Sequence, residues 1–136
     1  MFVIAKILGG RQNVAETLEL PCTPGTTYTV GEALVVTNGA LAKASGGVVA
    51  KYVAAESYVA PSTGARKLRC YRITPDMLFE APLTAFSAST VKVGARVTFG
   101  TDGLTLTATA AEAGGAEIAD TCEAAKAGDK ITVFLA

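Results

Sequence analysis

Two stretches of this chain repeat one another. Val30-Gly31-Glu32-Ala33-Leu34-Val35-Val36-Thr37-Asn38-Gly39-Ala40-Leu41 lines up with Val93-Gly94-Ala95-Arg96-Val97-Thr98-Phe99-Gly100-Thr101-Asp102-Gly103-Leu104. Both read Val-Gly, two residues, a short apolar strand, an Asn/Asp-Gly turn and a second strand. Two further blocks follow in the same order and at similar spacing: Gly46–Ala50 with Gly114–Ala119, and Lys67–Ile73 with Lys130–Ala136. An ordered repeat constrains the fold strongly, because each copy must be one supersecondary unit packed against the other. Asn38-Gly39 and Asp102-Gly103 supply the positive φ that a two-residue hairpin turn needs. Such turns recur in any β-rich chain, so shared hairpin grammar is the competing explanation of the likeness.

Within each unit the pattern is β. Leu104-Thr105-Leu106-Thr107 alternates with period two, and Ile131, Val133 and Leu135 share one face. Ala, Thr, Val and Gly fill roughly half the positions, a usage that favours short strands and tight turns. All five prolines fall between expected strands, where a missing amide does no harm. Ala108–Ala127 has helical composition, but Gly114-Gly115 in its middle costs a helix about 2 kcal/mol. It reads as strand. The expected fold is all-β: an internally duplicated, small β-sandwich or barrel-like domain with an N-terminal arm. Residues 1–26 form the arm or strand segment, 27–74 unit one, 75–89 a connector and 90–136 unit two. A unit of this size is near the lower limit for folding alone, so 27–136 is read as one domain with a shared core.

Composition removes several chemistries. The chain has 136 residues and no histidine, which excludes Ser-His-Asp and Cys-His hydrolysis and every His-containing zinc or haem site. Cys22, Cys70 and Cys122 stand far apart and odd in number, a poor metal or disulfide framework. They are expected to be reduced and partly buried, with one disulfide or a reactive thiol as the alternative. No metal and no cofactor is expected. Twelve basic residues balance twelve acidic ones, so nothing in the net charge suits nucleic acid. Met1–Leu8 is apolar but interrupted by Lys6 and ended by Gly9-Gly10, far short of the ~20 residues that cross a bilayer. The expectation is synthesis in the cytoplasm without a membrane partner.

Three places could meet another protein. Met1–Leu8 is apolar on both faces of a strand, with Phe2, Ile4 and Leu8 on one side. It must be covered by the protein's own sheet or by a neighbouring subunit. The connector from Thr74 to Phe86 is unusually apolar for a loop, and Met77, Phe79 and Phe86 either pack between the units or serve as anchors. Arg66, Lys67, Arg69 and Arg72 concentrate positive charge, while Glu112, Glu117, Asp120, Glu123 and Asp129 make the C-terminal end acidic. That asymmetry reads as a contact with an acidic surface or as solvated strand edges that discourage aggregation. The carboxylate pairs Glu16/Glu19 and Glu117/Asp120 sit in no catalytic motif and read as surface residues.

The ordered blocks Lys51-Tyr52-Val53-Ala54-Ala55-Glu56, Tyr71-Arg72-Ile73-Thr74-Pro75-Asp76-Met77-Leu78-Phe79-Glu80 and Gly128-Asp129-Lys130-Ile131-Thr132-Val133 resemble tailed-phage head decoration, or capsid cement, proteins. The resemblance covers roughly residues 30–136. It implies a non-enzymatic structural virion protein that binds the outside of the phage capsid and stabilises it. The implied partners are the major capsid protein and other copies of the chain, a homo-oligomer with a trimer as one option. No nucleic acid, membrane or cofactor is implied, and the family has no active-site residues to carry over. Other classes stay open: a tail, pilus or surface-layer subunit, a small ligand- or carbohydrate-binding β module, or an enzyme, which the absent histidine and catalytic motifs disfavour. The low aromatic content and the absence of Trp count against the binding module.

Overall fold

The computed structural model describes residues 1–8 and 17–135; the Gly9-Gly10 turn, Glu16 and Ala136 lie outside them. Among the described residues there are thirteen strands and no helix. The first eight are β1 (Val3–Ile7), β2 (Thr17–Leu20), β3 (Thr27–Tyr28), β4 (Ala33–Thr37), β5 (Ala40–Lys43), β6 (Tyr52–Ala54), β7 (Tyr58–Val59) and β8 (Leu68–Arg72). The rest are β9 (Met77–Pro82), β10 (Arg96–Phe99), β11 (Leu106–Ala110), β12 (Ala116–Asp120) and β13 (Lys130–Phe134). The chain is all-β, as its turn and alternation patterns predict, and Ala108–Ala127 contributes strands.

The two large sheets share one connectivity. The five-stranded sheet runs β2-β8-β6-β4-β5, and the six-stranded sheet runs β1-β9-β13-β12-β10-β11. With β1 set aside, each sheet places its first strand beside its last, then its fourth, second and third. Each also closes on itself through one parallel bridge, Cys22 to Leu41 in the first and Leu83 to Leu106 in the second. The result is two small rolled sheets, each a barrel closed at one corner. A separate pair, β3 with β7, lies beside the first barrel and brings Tyr28 into its core.

This arrangement departs from the expected boundaries at two points. Met77–Pro82 is an inner strand between β1 and β13, not a connector. Pro82 is tolerated because it is the strand's last residue, where a ladder can do without one donor. Residues 1–26 also do not form one arm: β1 joins the second barrel through β9, while β2 belongs to the first.

Local chemistry accounts for the turns. Asn38 (φ 52°) and Gly39 (φ 80°) form the two-residue link between β4 and β5, as a hairpin with a right-handed twist requires. Asp102-Gly103 sits instead in the longer loop 100–105, although it too joins consecutive antiparallel strands. In that loop Asp102 Oδ1 accepts from the Leu104 amide (2.9 Å) and the Thr105 hydroxyl (3.0 Å). A carboxylate that satisfies its own loop in this way stabilises the wider turn over a tight one.

Tyr28, Leu34, Leu41, Leu68 and Cys70 fill the first barrel. Its Tyr28 hydroxyl donates to the Leu41 carbonyl (2.8 Å), so the ring's polar end is satisfied inside the core. Phe79, Val97, Phe99, Leu106, Ile118, Ile131 and Val133 fill the second barrel. That second core continues into a seam formed by Ala33, Ala44, Ala50, Val53 and Ile73 of the first barrel. Backbone bonds stitch the seam: Ala33 N to Gly103 O (2.7 Å), Phe99 N to Gly46 O (2.8 Å) and Gly115 N to Val48 O (2.8 Å). Gly114 lies so close to the Gly47 carbonyl that a Cβ would collide with it.

Candidate functional site

The N-terminal segment touches both barrels, pairing with β9 of the second and bonding Gly31 of the first, and it lines an apolar strip of the surface. Phe2 is 3% exposed; its ring meets Phe99 edge-on, with centroids 5.7 Å apart, and its amide donates to Gly31 O (2.8 Å). Ile4 and Ile7 pack partly onto the same core. Leu8 is half-buried, with its amide bonded to Asp76 O (2.7 Å). The alternate residue Val3 and the terminal Met1 are exposed. Together with Val30, Val53 and Tyr71 they line a groove of about 300 Å³ along the strand. Burial lowers the pKa of the Met1 amine, with the Asp102 charge acting in the opposite sense.

Of the connector residues, Met77 and Phe79 point into the core and have no exposed surface to offer a partner. Phe86 is half-buried against that core. The sequence pattern misses this because Pro75 and Pro82 mask a strand with an unbroken inward alternation of Met77, Phe79 and Ala81.

The basic run lies along β8 and the turn before it, and part of it is already engaged. Arg66 Nη1 contacts Glu56 Oε1 at 2.7 Å and its guanidinium lies 4.0 Å from the Tyr58 ring centroid. The same Glu56 oxygen accepts from the Arg69 amide (3.0 Å). The Arg66 hydrogen bond, followed by that amide, holds the Glu56 carboxyl below its ordinary range. Lys67, Arg69 and Arg72 keep exposed side chains. The acidic end is partly spent in the same way. Asp120 caps the Cys122 amide (2.8 Å), Asp129 caps those of Ala125 and Lys126, and Glu117 meets Arg96 at 3.4 Å.

Among the described residues Glu32 is the one charged side chain that is fully buried. Its Oε2 lies 3.8 Å from Lys43 Nζ, and neither carboxylate oxygen has a hydrogen-bond partner among the described residues. Burial pushes its pKa up; the Lys43 charge opposes this, and the nearby Thr29 amide favours the charged form without completing a bond. The cysteines are free thiols of three kinds: Cys22 half-buried, Cys70 buried and Cys122 exposed, the last against the expectation of burial. Burial pushes the Cys70 thiol up to about 12. Among the described residues no three Cys, Asp or Glu side chains converge as a metal-ligand set.

The surface so built carries an apolar strip along β1, exposed basic side chains on the first barrel and short acidic turns on the second. No family profile and no curated protein sequence matches the chain. A solved structure does, the N base of head fiber gp8.5 of bacteriophage phi29. It superposes with a TM-score of 0.55 at 16% identity, over 89% of this chain and 95% of that one. At that identity the likeness is one of fold, and it spans both barrels.

Proposed function

We propose that this protein is a non-enzymatic structural component of a phage virion, bound to the outer surface of the capsid and stabilising it. The observation that carries this reading is the shared fold with a head-fiber base, a likeness that takes in nearly the whole of both chains. The resemblance of its ordered sequence blocks to decoration proteins points the same way. The surface is suited to attachment, because the apolar strip along β1 and the exposed cations Lys67, Arg69 and Arg72 can make modest contacts that repetition over a lattice turns into firm binding. The proposed partners are the major capsid protein and further copies of the chain. The test is co-sedimentation with expanded shells assembled from the major capsid protein of the same genome. Saturable binding at a fixed ratio of copies to capsomers supports the reading, and a protein left in the supernatant at every concentration overturns it.

A further inference from the structure

The repeated connectivity exposes an unfilled position. Val36 faces Leu41 across the first hairpin, and Phe99 faces Leu106 across the second; both pairs sit at the corner where a barrel closes. Leu18 on β2 lies opposite Cys70, as Phe79 on β9 lies opposite Val133. These inward-facing residues therefore hold matching places, yet their surroundings differ. Phe99 is 2% exposed and Phe79 0%: β1 pairs with β9 and lays the Phe2 ring on Phe99, which Gly46 of the first barrel also bridges. Val36 is 47% exposed and Leu18 only half-buried, and among the described residues no strand pairs with the outer edge of β2.

We propose that this open corner of the first barrel is a strand-addition site. It consists of the edge of β2 that no described strand pairs with, together with Leu18, Val36 and the Asn38-Gly39 tip, and it takes an extended segment of a different protein chain. That segment carries a large apolar residue, Phe by preference, at its Val36-facing position and a second apolar residue two positions on, the Phe2–Ile4 chemistry that fills the matching corner. The chain's own β1 is already committed to β9, where leaving would uncover Phe99; a foreign strand pays no such cost. The backbone groups along that edge of β2, which no described strand pairs, supply the hydrogen bonds, and the exposed side of Val36 supplies the apolar contact. The inference goes beyond the capsid reading and does not depend on it.

The probe is a synthetic peptide with the sequence of residues 1–8 and a solubilising Lys-Lys tail, titrated into the full-length, isotope-labelled protein and followed by amide NMR shifts. Saturable shifts at Thr17–Leu20 and Val36–Gly39 are expected. Affinity should fall about tenfold or more for the peptide with Phe2→Ala and for the protein with Val36→Lys. A Val36→Phe protein, which fills the corner from within, should fold normally and also reject the peptide. Three results overturn the proposal: no saturable binding, shifts confined to Leu78–Glu80 and Phe99, or undiminished binding to both Val36 variants. Self-association of the free protein through the same amides would also overturn it, since the occupant would then be a second copy.

Discussion

Replacing Phe2 by Ala should destabilise the whole fold. The ring is nearly fully buried, stands edge-on to Phe99 and closes the seam where the second core meets the first barrel. Truncating a buried Phe to Ala costs about 3–5 kcal/mol, and the lower end, about 3 kcal/mol, is expected here because Met1 and Val3 beside it are exposed and can shift. A domain of this size has a total stability of about 5–15 kcal/mol, so the loss is a large fraction of it. At about 2–4 °C per kcal/mol for chains somewhat longer than this one, the melting temperature should fall by roughly 10 °C. Urea unfolding followed by circular dichroism measures the change, with Val3→Ala as the control: the same strand, an outward-facing side chain, and an expected effect within about 0.5 kcal/mol. If Phe2→Ala were as mild as Val3→Ala, β1 would be detached in solution and the segment would be an arm after all.

Glu32→Gln should stabilise the protein by about 1–3 kcal/mol at neutral pH, because it removes a buried charge with no hydrogen-bond partner. The folded-state pKa is raised, so Glu32 contributes stability below its ordinary carboxyl value and loses it as pH rises through the folded value. The advantage of Gln should therefore shrink on acidification, and a parent protein more stable than Glu32→Gln at neutral pH would show that the Lys43 pairing outweighs burial. Thiol alkylation at about pH 8 should modify Cys122 first, Cys22 slowly and Cys70 only after unfolding, as mass spectrometry of digested samples can follow. Gly114→Ala should cost about 2 kcal/mol or more in denaturation, since it combines a φ of 66° with a collision at the Gly47 carbonyl. Gly47→Ala meets only open space and should cost far less.

The hairpin over Ala33–Lys43 is legible in the sequence because Asn-Gly dictates its turn chemistry and the flanking residues alternate. The strands over 116–120 and 130–134 are legible for similar reasons of period and glycine placement. What hides is the first strand of each barrel. Glu19-Leu20-Pro21-Cys22-Thr23 and Glu80-Ala81-Pro82-Leu83-Thr84 share Glu, Pro and Thr at the same spacing, and both carry the bridge that closes a barrel. Proline suggests a break there, whereas at a strand's end it marks the point where a strand leaves one neighbour for another. The placement of Met77 and Phe79 follows from that misreading, since a strand paired on both sides buries its inward face completely. The basic run is visible in sequence, but its partial neutralisation depends on Glu56 and Tyr58, which the fold of the chain between β6 and β8 brings beside Arg66. Glu32 carries no sequence signal of burial; it lies under the loop at Gly103 because the two barrels meet there.

Whether the protein coats the outside of a capsid is decided most directly by cryo-electron microscopy of shells saturated with it. Ordered density is expected on the outer surface, at a repeating lattice position, into which both barrels fit with β1 in place beside β9. Shells with bare exteriors after saturation, or density on the inner wall, would contradict the capsid-binding role.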